Sequence, residues 1–153
     1  MRPSWERTWM NVAFAISERT RCDKARVGAV IVGPNQRIVS TGYNGPPANY
    51  IEEEKTCSSF CLRNINNETS SDYSSCPSIH AEMNAIAYAN RRDMEGGTIY
   101  ITASPCMNCA KVIANSGIKR IIFNQDKDRD TGNVVKFLIA SKIEVIGMNY
   151  EKQ

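Results

Sequence analysis

The sequence contains a single histidine, His80, among its 153 residues. A site built from several histidines is therefore excluded, and any histidine-dependent chemistry must use this one side chain. Aromatic residues are also few, at 8%, and no long run of apolar residues occurs. Because a membrane-spanning helix needs about 20 consecutive apolar residues, we expect no membrane partner.

Charge of one sign is also lacking. The chain has 19 Lys and Arg against 16 Asp and Glu, a formal net charge of +3, without a long basic run. Nucleic-acid-binding proteins concentrate basic residues on one face, so the composition argues against a nucleic-acid partner and for a small substrate. The N-terminal residues have no secretory signal pattern, and we expect a cytoplasmic protein.

Length and hydrophobic content predict one domain, residues 1–153, because 153 residues with 42% hydrophobic side chains suffice for one core. The chain has six cysteines. In a reducing compartment cysteines serve more often as metal ligands or buried thiols than as disulfides. We therefore expect metal binding.

Hydrophobic periodicity predicts an α/β fold. An amphipathic helix is expected from Ser4 to about Thr20, with its aromatic residues in the core, and a hairpin of strands Val27–Val32 and Arg37–Gly42 follows. Helices are then expected at Ile79–Asn90, Cys106–Ser116 and Val134–Lys142, and strands at Thr98–Thr102, Lys119–Phe123 and Ile143–Met148. This order predicts a mixed five-stranded sheet with helices on both faces.

Two short motifs carry the candidate chemistry: His80-Ala81-Glu82 and Pro105-Cys106-Met107-Asn108-Cys109. An imidazole nitrogen and two thiolates are ligands that zinc prefers, and three protein ligands leave a fourth tetrahedral position for water. A lone histidine is often structural, and C-x-x-C alone is as consistent with a redox or structural role. The ordered combination matches the zinc-deaminase pattern and favours a catalytic zinc.

Helix geometry suggests how these residues are placed. Cys106 and Cys109 share one face if a helix starts there, with Ser104 as its cap and Pro105 just inside it. Residues two apart on a helix point in different directions, so His80 is expected at the start of its helix. Glu82 is then predicted to take and return a proton instead of binding the metal.

The polar stretch from Tyr43 to Ser78 is long for an idle connection, which favours a function or a stabilising cross-link. It carries three cysteines, and a fourth precedes the first strand; the four are Cys22, Cys57, Cys61 and Cys76. Four thiolates would make a closed structural zinc site. The spacing alone leaves unrelated buried thiols as an equal alternative.

Four segments resemble the cytidine deaminase superfamily, and within it the deoxycytidylate deaminase branch. They are R-V-G-A-V-I-V (26–32), T-G-Y-N-G-P-P (41–47), I-H-A-E-M-N-A-I (79–86) and S-P-C-M-N-C-A-K (104–111), the last continuing to S-G-I-K-R-I-I-F. The G-Y-N-G segment is the part typical of that branch. The resemblance implies a three-layer α/β/α fold and zinc-dependent hydrolysis of dCMP to dUMP and ammonia, supplying thymidylate synthesis.

The resemblance also implies roles for single residues. His80, Cys106 and Cys109 match zinc ligands, and Glu82 matches the proton shuttle. Asn44 matches a residue that contacts the sugar, and the backbone at Ala81 and Ser104 matches positions beside the base. Some relatives bind a second zinc near the long loop, which favours Cys22, Cys57, Cys61 and Cys76 as its ligands.

Regulation is a further implication of the resemblance. In relatives the segment that matches Gly42, Tyr43, Asn44 and Gly45 takes part in binding a nucleotide effector, with dCTP activating and dTTP inhibiting, commonly in a homo-hexamer. Mg²⁺ is a possible companion of the triphosphate. The chain departs from its relatives after Phe123, where many have an aromatic residue and this chain has the charged run Asp126–Asp130, expected to be a solvated loop.

Lys24 and Arg26 precede the first strand and are candidates for binding a 5′-phosphate, although either is equally consistent with a solvated surface charge. Two alternatives remain for the whole protein. One is a related deaminase acting on dCTP, a free nucleoside or tRNA adenosine. The other is a non-catalytic zinc module, against which Glu82 counts because a structural site needs no such carboxylate.

Overall fold

The computed structural model describes residues 1–50, 55–69, 73–126 and 129–151, and within them one five-stranded sheet. The strands are β1 Gly28–Val32, β2 Ile38–Tyr43, β3 Thr98–Ile101, β4 Arg120–Asn124 and β5 Glu144–Met148. They lie in the order β2-β1-β3-β4-β5. β1 is antiparallel to both β2 and β3, whereas β3, β4 and β5 are parallel. The predicted mixed five-stranded sheet is confirmed.

The described residues also form helices, which are α1 Trp5–Ser17, α2 Cys57–Phe60, α3 Leu62–Ile65, α4 Ala81–Tyr88, α5 Arg91–Met94, α6 Met107–Ala114 and α7 Gly132–Ala140. The four longer ones correspond to the predicted helices; α1, α4 and α6 are shorter than expected, and α7 has the expected length but begins two residues earlier. The three single-turn helices α2, α3 and α5 were missed because four residues are too few to show a period. Within the described ranges, no helix has the length and apolar composition to cross a bilayer.

Helices cover both faces of the sheet. Every residue of β1 is buried, and its side chains alternate between two apolar clusters. Ala29 and Ile31 pack with residues of α4, α6 and α7 on one face, and Val30 and Val32 pack with residues of α1 on the other. A strand covered on both sides reads as a continuous apolar run, which is why β1 was recognisable.

The sequence predicted that the aromatic residues of α1 lie in the core, but this is not true of all of them. The rings of Trp5 and Trp9 stack with centroids 5.2 Å apart, but Trp5 is half exposed. Trp9 Nε1 donates to Gln36 Oε1 at 3.0 Å, and this bond ties α1 to the turn of the β1–β2 hairpin. Ser4, predicted as the first residue of this helix, is its N-cap, and its Oγ accepts from the Arg7 backbone nitrogen at 3.2 Å.

The long stretch between β2 and α4 is fastened close to its two ends. An antiparallel bridge joins Gly45 to Ile79, with N–H···O distances of 3.1 and 2.8 Å. This bridge fixes the chain one residue before His80. Residues 51–54 and 70–72 of the stretch lie outside the described residues.

Gly42 sets how closely α4 packs on β2. A Cβ at this position would overlap the Ala81 carbonyl oxygen and would lie 2.5 Å from the Ala85 nitrogen, both of them backbone atoms of α4. Backbone atoms of a packed helix cannot move aside independently, so only glycine allows this approach. The position of the first turn of α4 therefore depends on Gly42.

We predict that Gly42→Ala lowers the free energy of unfolding by about 1–3 kcal/mol, as overpacking does, because α4 must shift away from β2. Chemical denaturation measures the change. Gly45→Ala is the matched control, since an added Cβ there meets nothing closer than 3.7 Å, and its effect should stay within about 0.5 kcal/mol. Equal stability of the two variants would contradict the packing role of Gly42.

Candidate active site

Three potential metal donors converge beside the first turns of α4 and α6. His80 Nδ1 lies 3.5 Å from Cys106 Sγ and 3.3 Å from Cys109 Sγ, and the three donor atoms all lie within 4.8 Å of one another. Cys109 is buried, whereas His80 and Cys106 are half-buried. The two motifs, more than twenty residues apart in sequence, thus meet in one cluster.

Two helix starts position these donors. His80 is the N-cap of α4 with an extended backbone, so its side chain need not follow the helical register that sends Glu82 inward. Cys106 is the N-cap of α6, and its Sγ accepts from the Cys109 nitrogen at 3.4 Å. The prediction of Ser104 as cap, with Pro105 inside the helix, is wrong. The thiol of Cys106 itself caps the helix, so the cap lies two residues later than expected.

Mutual contacts shift the titration of the cluster. The hydrogen bond from Cys109, joined by one from His80, lowers the pKa of Cys106 to about 3. The same Cys106–Cys109 contact and burial raise the pKa of Cys109. The hydrogen bond with Cys106 raises the pKa of His80. Without a metal, the three side chains thus share protons around one thiolate.

This donor set fits zinc. Two sulfurs and one imidazole nitrogen are borderline-soft ligands of the kind that Zn²⁺ prefers. The described residues add no fourth His, Cys, Asp or Glu donor to the group. Three protein ligands are typical of catalytic zinc and four of structural zinc, so the arrangement is of the catalytic kind.

Glu82 lies beside the donor cluster, in the first turn of α4. It is only 4% exposed, and burial raises the pKa of its carboxyl group, while contacts with His80 and Cys109 also act on it. A carboxyl group whose pKa is moved toward neutrality can hold and release a proton at working pH. Glu82 is therefore chemically suited to proton transfer.

Asn44 is occupied with the backbone at the start of β1. Its Oδ1 accepts from the Val27 nitrogen at 2.9 Å, and its Nδ2 donates to the Ala25 carbonyl oxygen at 2.9 Å. These bonds fasten the segment that carries Lys24 and Arg26, both of them exposed. Asn44 therefore anchors the chain before β1, and its predicted contact with a sugar stays a prediction.

The remaining G-Y-N-G residues have mainly structural contacts. Gly42 packs against α4, and Gly45 forms the bridge to Ile79. The Tyr43 carbonyl oxygen accepts from Asn84 Nδ2 at 2.8 Å, whereas its side chain is exposed. Tyr43 is thus the member of this segment whose side chain is available to a ligand.

Ser104 connects the α6 motif to the loop after β4. It is 2% exposed, and its Oγ accepts from the Asp126 nitrogen at 2.9 Å. Its carbonyl oxygen accepts from the Arg129 guanidinium at 2.7 Å. Asp126, Arg129 and Asp130 are exposed, as predicted for a solvated loop, but the first two also bond to Ser104. Residues 127 and 128 lie outside the described ranges.

The sequence did hold a signal for this contact. β3 and β4 are parallel neighbours, and the chains leaving the carboxyl ends of such strands meet at one edge of the sheet. Ser104 follows β3 and Asp126 follows β4, so the two segments had to approach each other. Ala81, which is fully buried, lies between His80 and Glu82 on the same side of the sheet.

The other four cysteines also gather, in a separate cluster. Cys57 and Cys61 are buried with Phe60, and Cys22 and Cys76 pack against them. Burial raises the pKa of Cys57 to about 12, and all four are free thiols. The sulfurs of these four cysteines lie farther apart than the donors of the first site. Within the described ranges, only the group of His80, Cys106 and Cys109 has three donor atoms within 4.8 Å of one another.

Comparisons with known proteins agree with this geometry. The family model for the zinc-binding region of cytidine and deoxycytidylate deaminases matches residues 3–125. The chain belongs to this family. A deoxycytidylate deaminase of Mycobacterium phage D29 is 39% identical over 131 residues, covering 82% of this chain and 98% of that protein. The human deoxycytidylate deaminase is 37% identical over 131 residues, covering 83% and 68%.

The fold of this chain also agrees with that of a solved structure of the same family. The dCMP deaminase of the cyanophage S-TIM5, crystallised in complex with dCMP and dUMP, superposes with a TM-score of 0.73 at 26% identity. The match covers 97% of this chain and 99% of that one. The α/β fold predicted from the resemblance is thus confirmed.

We predict that Glu82→Gln stabilises the zinc-free protein at pH 7. Because burial raises the folded-state pKa of Glu82, the folded state binds its proton more tightly than the unfolded chain does. Stability therefore falls as pH rises above about 4.3, the ordinary pKa of glutamate, and the penalty is complete above the folded-state pKa. A neutral glutamine removes this penalty.

Thermal unfolding of both zinc-free proteins between pH 4 and pH 8 measures the effect. The difference in Tm should favour Glu82→Gln at pH 7 and shrink toward pH 4. A wild-type protein that is the more stable at pH 7 would contradict a destabilising buried carboxylate.

Proposed function

We propose that this protein deaminates dCMP to dUMP and ammonia by zinc-dependent hydrolysis, supplying dUMP for thymidylate synthesis. The observation that carries the proposal is the convergence of His80, Cys106 and Cys109 beside buried Glu82. The substrate is proposed from the relatives, which are named deoxycytidylate deaminases, and from the dCMP and dUMP bound to the cyanophage enzyme. The reaction is proposed for one domain spanning residues 1–153.

Zinc held by His80 Nδ1, Cys106 Sγ and Cys109 Sγ would supply the Lewis acidity that makes water nucleophilic at neutral pH. Glu82 takes a proton from that water and delivers it to N3 of the cytosine ring as the water oxygen bonds to C4. Glu82, again a carboxylate, then takes the proton of the new C4 hydroxyl group and passes it to the amino nitrogen, so that the C4–N4 bond breaks, ammonia leaves and a carbonyl oxygen remains on C4. The burial that raises the pKa of Glu82 keeps bulk water from taking its proton.

Substrate contacts are proposed along the rim of this site. The backbone at Ala81 and Ser104 is proposed to lie beside the base, and Asn44 beside the sugar. Asn44 retains capacity for this, because each end of its amide has used one bond on the backbone and an amide can form more. Lys24 and Arg26 are proposed as cationic donors to the 5′-phosphate, which their exposure permits.

Regulation, assembly and location are proposed from the resemblance. A homo-hexamer in the cytoplasm would bind dCTP as activator, with Mg²⁺ as companion of the triphosphate, and dTTP as inhibitor, near Gly42, Tyr43, Asn44 and Gly45. The exposed Tyr43 ring supports a role in stacking on an effector base. No nucleic acid is expected as a partner, because the net charge is only +3.

We predict ammonia release from dCMP by the zinc-loaded protein, with the rate raised by dCTP and lowered by dTTP. The assay compares dCMP with dCTP as substrate, with deoxycytidine and with a tRNA anticodon stem. Turnover of dCMP unaffected by either effector would retain the substrate and remove the regulation. If the protein releases no ammonia from dCMP but releases it from another substrate, the proposed specificity is wrong.

Glu82→Gln is the control for this assay. It should keep its zinc and lose turnover by roughly 10²- to 10⁴-fold, which is the usual contribution of a general acid–base group. A rate near that of the wild type would remove Glu82 from the mechanism.

A second zinc is proposed at Cys22, Cys57, Cys61 and Cys76, as a closed structural site. Support comes from the clustering of the four thiols around Phe60 and from the preference of structural zinc for four thiolates. Zinc binding there would replace thiol protons, including that of Cys57 with its pKa of about 12, so occupancy should fall with decreasing pH.

We predict two zinc ions per chain in the purified protein and one in Cys61→Ser, measured by elemental analysis. The variant should also melt at a lower temperature, because a structural metal contributes to folding free energy. Ser59→Ala is the matched control and should keep both ions, because Ser59 is an exposed residue of α2, the short helix that Cys61 caps. One zinc in the wild-type protein would contradict the second site.

A further inference from the structure

Arg129 is a cation at the site that no proposed step uses so far. It is exposed, and its guanidinium NH1 donates to the Ser104 carbonyl oxygen at 2.7 Å. Ser104 is buried and lies two residues before Cys106. The same loop makes a second bond to Ser104 through the Asp126 nitrogen at 2.9 Å. Arg129 is therefore held against the chain that leads into the donor cluster.

The Ser104 contact locates Arg129 near the mouth of the site. Ser104 is buried two residues before Cys106, whereas Arg129, which donates to its carbonyl oxygen, is exposed.

The guanidinium has donors to spare. An arginine side chain has five N–H groups, and a single side-chain hydrogen bond of Arg129, to an uncharged carbonyl oxygen, is present in the described residues. The described residues also provide no carboxylate ion pair for it. Arg26 differs, because its charge is partly committed to Asp23, whose pKa is lowered first by hydrogen bonds with Ser58 and also by Arg26.

A nucleoside monophosphate needs this kind of group. Its reacting ring must reach the metal donors, and its dianionic phosphate stays at the other end of the molecule, toward the mouth. Arginine binds phosphate through two parallel N–H···O bonds, which fix orientation as well as charge. An anchored guanidinium at the mouth loses less conformational entropy on binding than a free surface side chain.

We propose that Arg129 binds the 5′-phosphate of the nucleotide and thereby makes the site selective for a monophosphate over a nucleoside. This assignment rests on the proposed dCMP deaminase function. It adds a residue of the loop after β4 to the phosphate contacts proposed for Lys24 and Arg26. It also gives the charged loop after β4 a specific task.

The test compares wild type, Arg129→Ala and Arg129→Lys by calorimetric binding of dUMP and deoxyuridine, and by the KM and kcat for dCMP. Arg129→Ala should weaken dUMP binding and raise the KM for dCMP by roughly 10- to 100-fold, the scale of a charge-assisted pair. Its kcat and its binding of deoxyuridine should change little, and Arg129→Lys should recover part of the loss. Wild-type binding of dUMP should weaken with added salt more steeply than that of Arg129→Ala.

Arg91→Ala is the matched control. Arg91 is also exposed, and its NH1 donates to a backbone carbonyl oxygen, that of Asn115, at 3.0 Å. Arg91 precedes β3, whereas Ser104, the partner of Arg129, follows β3. Arg91→Ala therefore removes an equal charge and a similar hydrogen bond at the other end of that strand.

The outcomes separate the two proposals. If the wild type turns over dCMP and Arg129→Ala binds dUMP as Arg91→Ala does, the phosphate role of Arg129 is overturned and the deaminase function stands. Equal losses for dUMP and deoxyuridine would also overturn it, because they would indicate a role in supporting Ser104. If the wild type neither binds dUMP nor deaminates dCMP, the proposed function fails and the assignment fails with it.

Discussion

The meeting of two helix starts is the constraint on which the rest of this structure depends. His80 and Cys106 are both N-cap residues, and both have extended backbones that free their side chains from the helical register. Helix N-termini carry partial positive charge, which favours a thiolate at Cys106, the N-cap of α6. The sheet brings the two helices to one face, and the Gly45–Ile79 bridge and Gly42 packing fix the approach of α4.

Function and stability oppose each other at Glu82. The residue lies in the first turn of α4, where the helix dipole favours a carboxylate, but burial outweighs this and raises its pKa. An apolar residue of similar size would suit the core better. The fold tolerates this destabilisation because large apolar clusters are buried on both faces of the sheet. The free-energy penalty of one buried carboxylate is small beside their contribution.

Sequence reasoning found the sheet because β1, β3 and β4 are short apolar runs between turn residues, and burial on two faces leaves a strong signal. It found the donor cluster because few proteins place His-x-Glu and Pro-Cys-x-x-Cys in that order. It missed the true cap of α6, because a thiol was not considered as a capping group. It also missed the role of Arg129. A charged run predicts a solvated loop from its composition alone, whereas the contact with Ser104 follows only from the order of the strands.

The two tryptophans have a practical consequence. Trp5 and Trp9 stack on α1, on the face of the sheet opposite the donor cluster. Intrinsic fluorescence should therefore report on the packing of α1 against the sheet and change little when the surroundings of the metal ligands change. Ultraviolet absorption from thiolate-to-metal charge transfer would follow the other layer. One sample can thus report separately on the two halves of the molecule, and would reveal whether they lose structure together or in sequence.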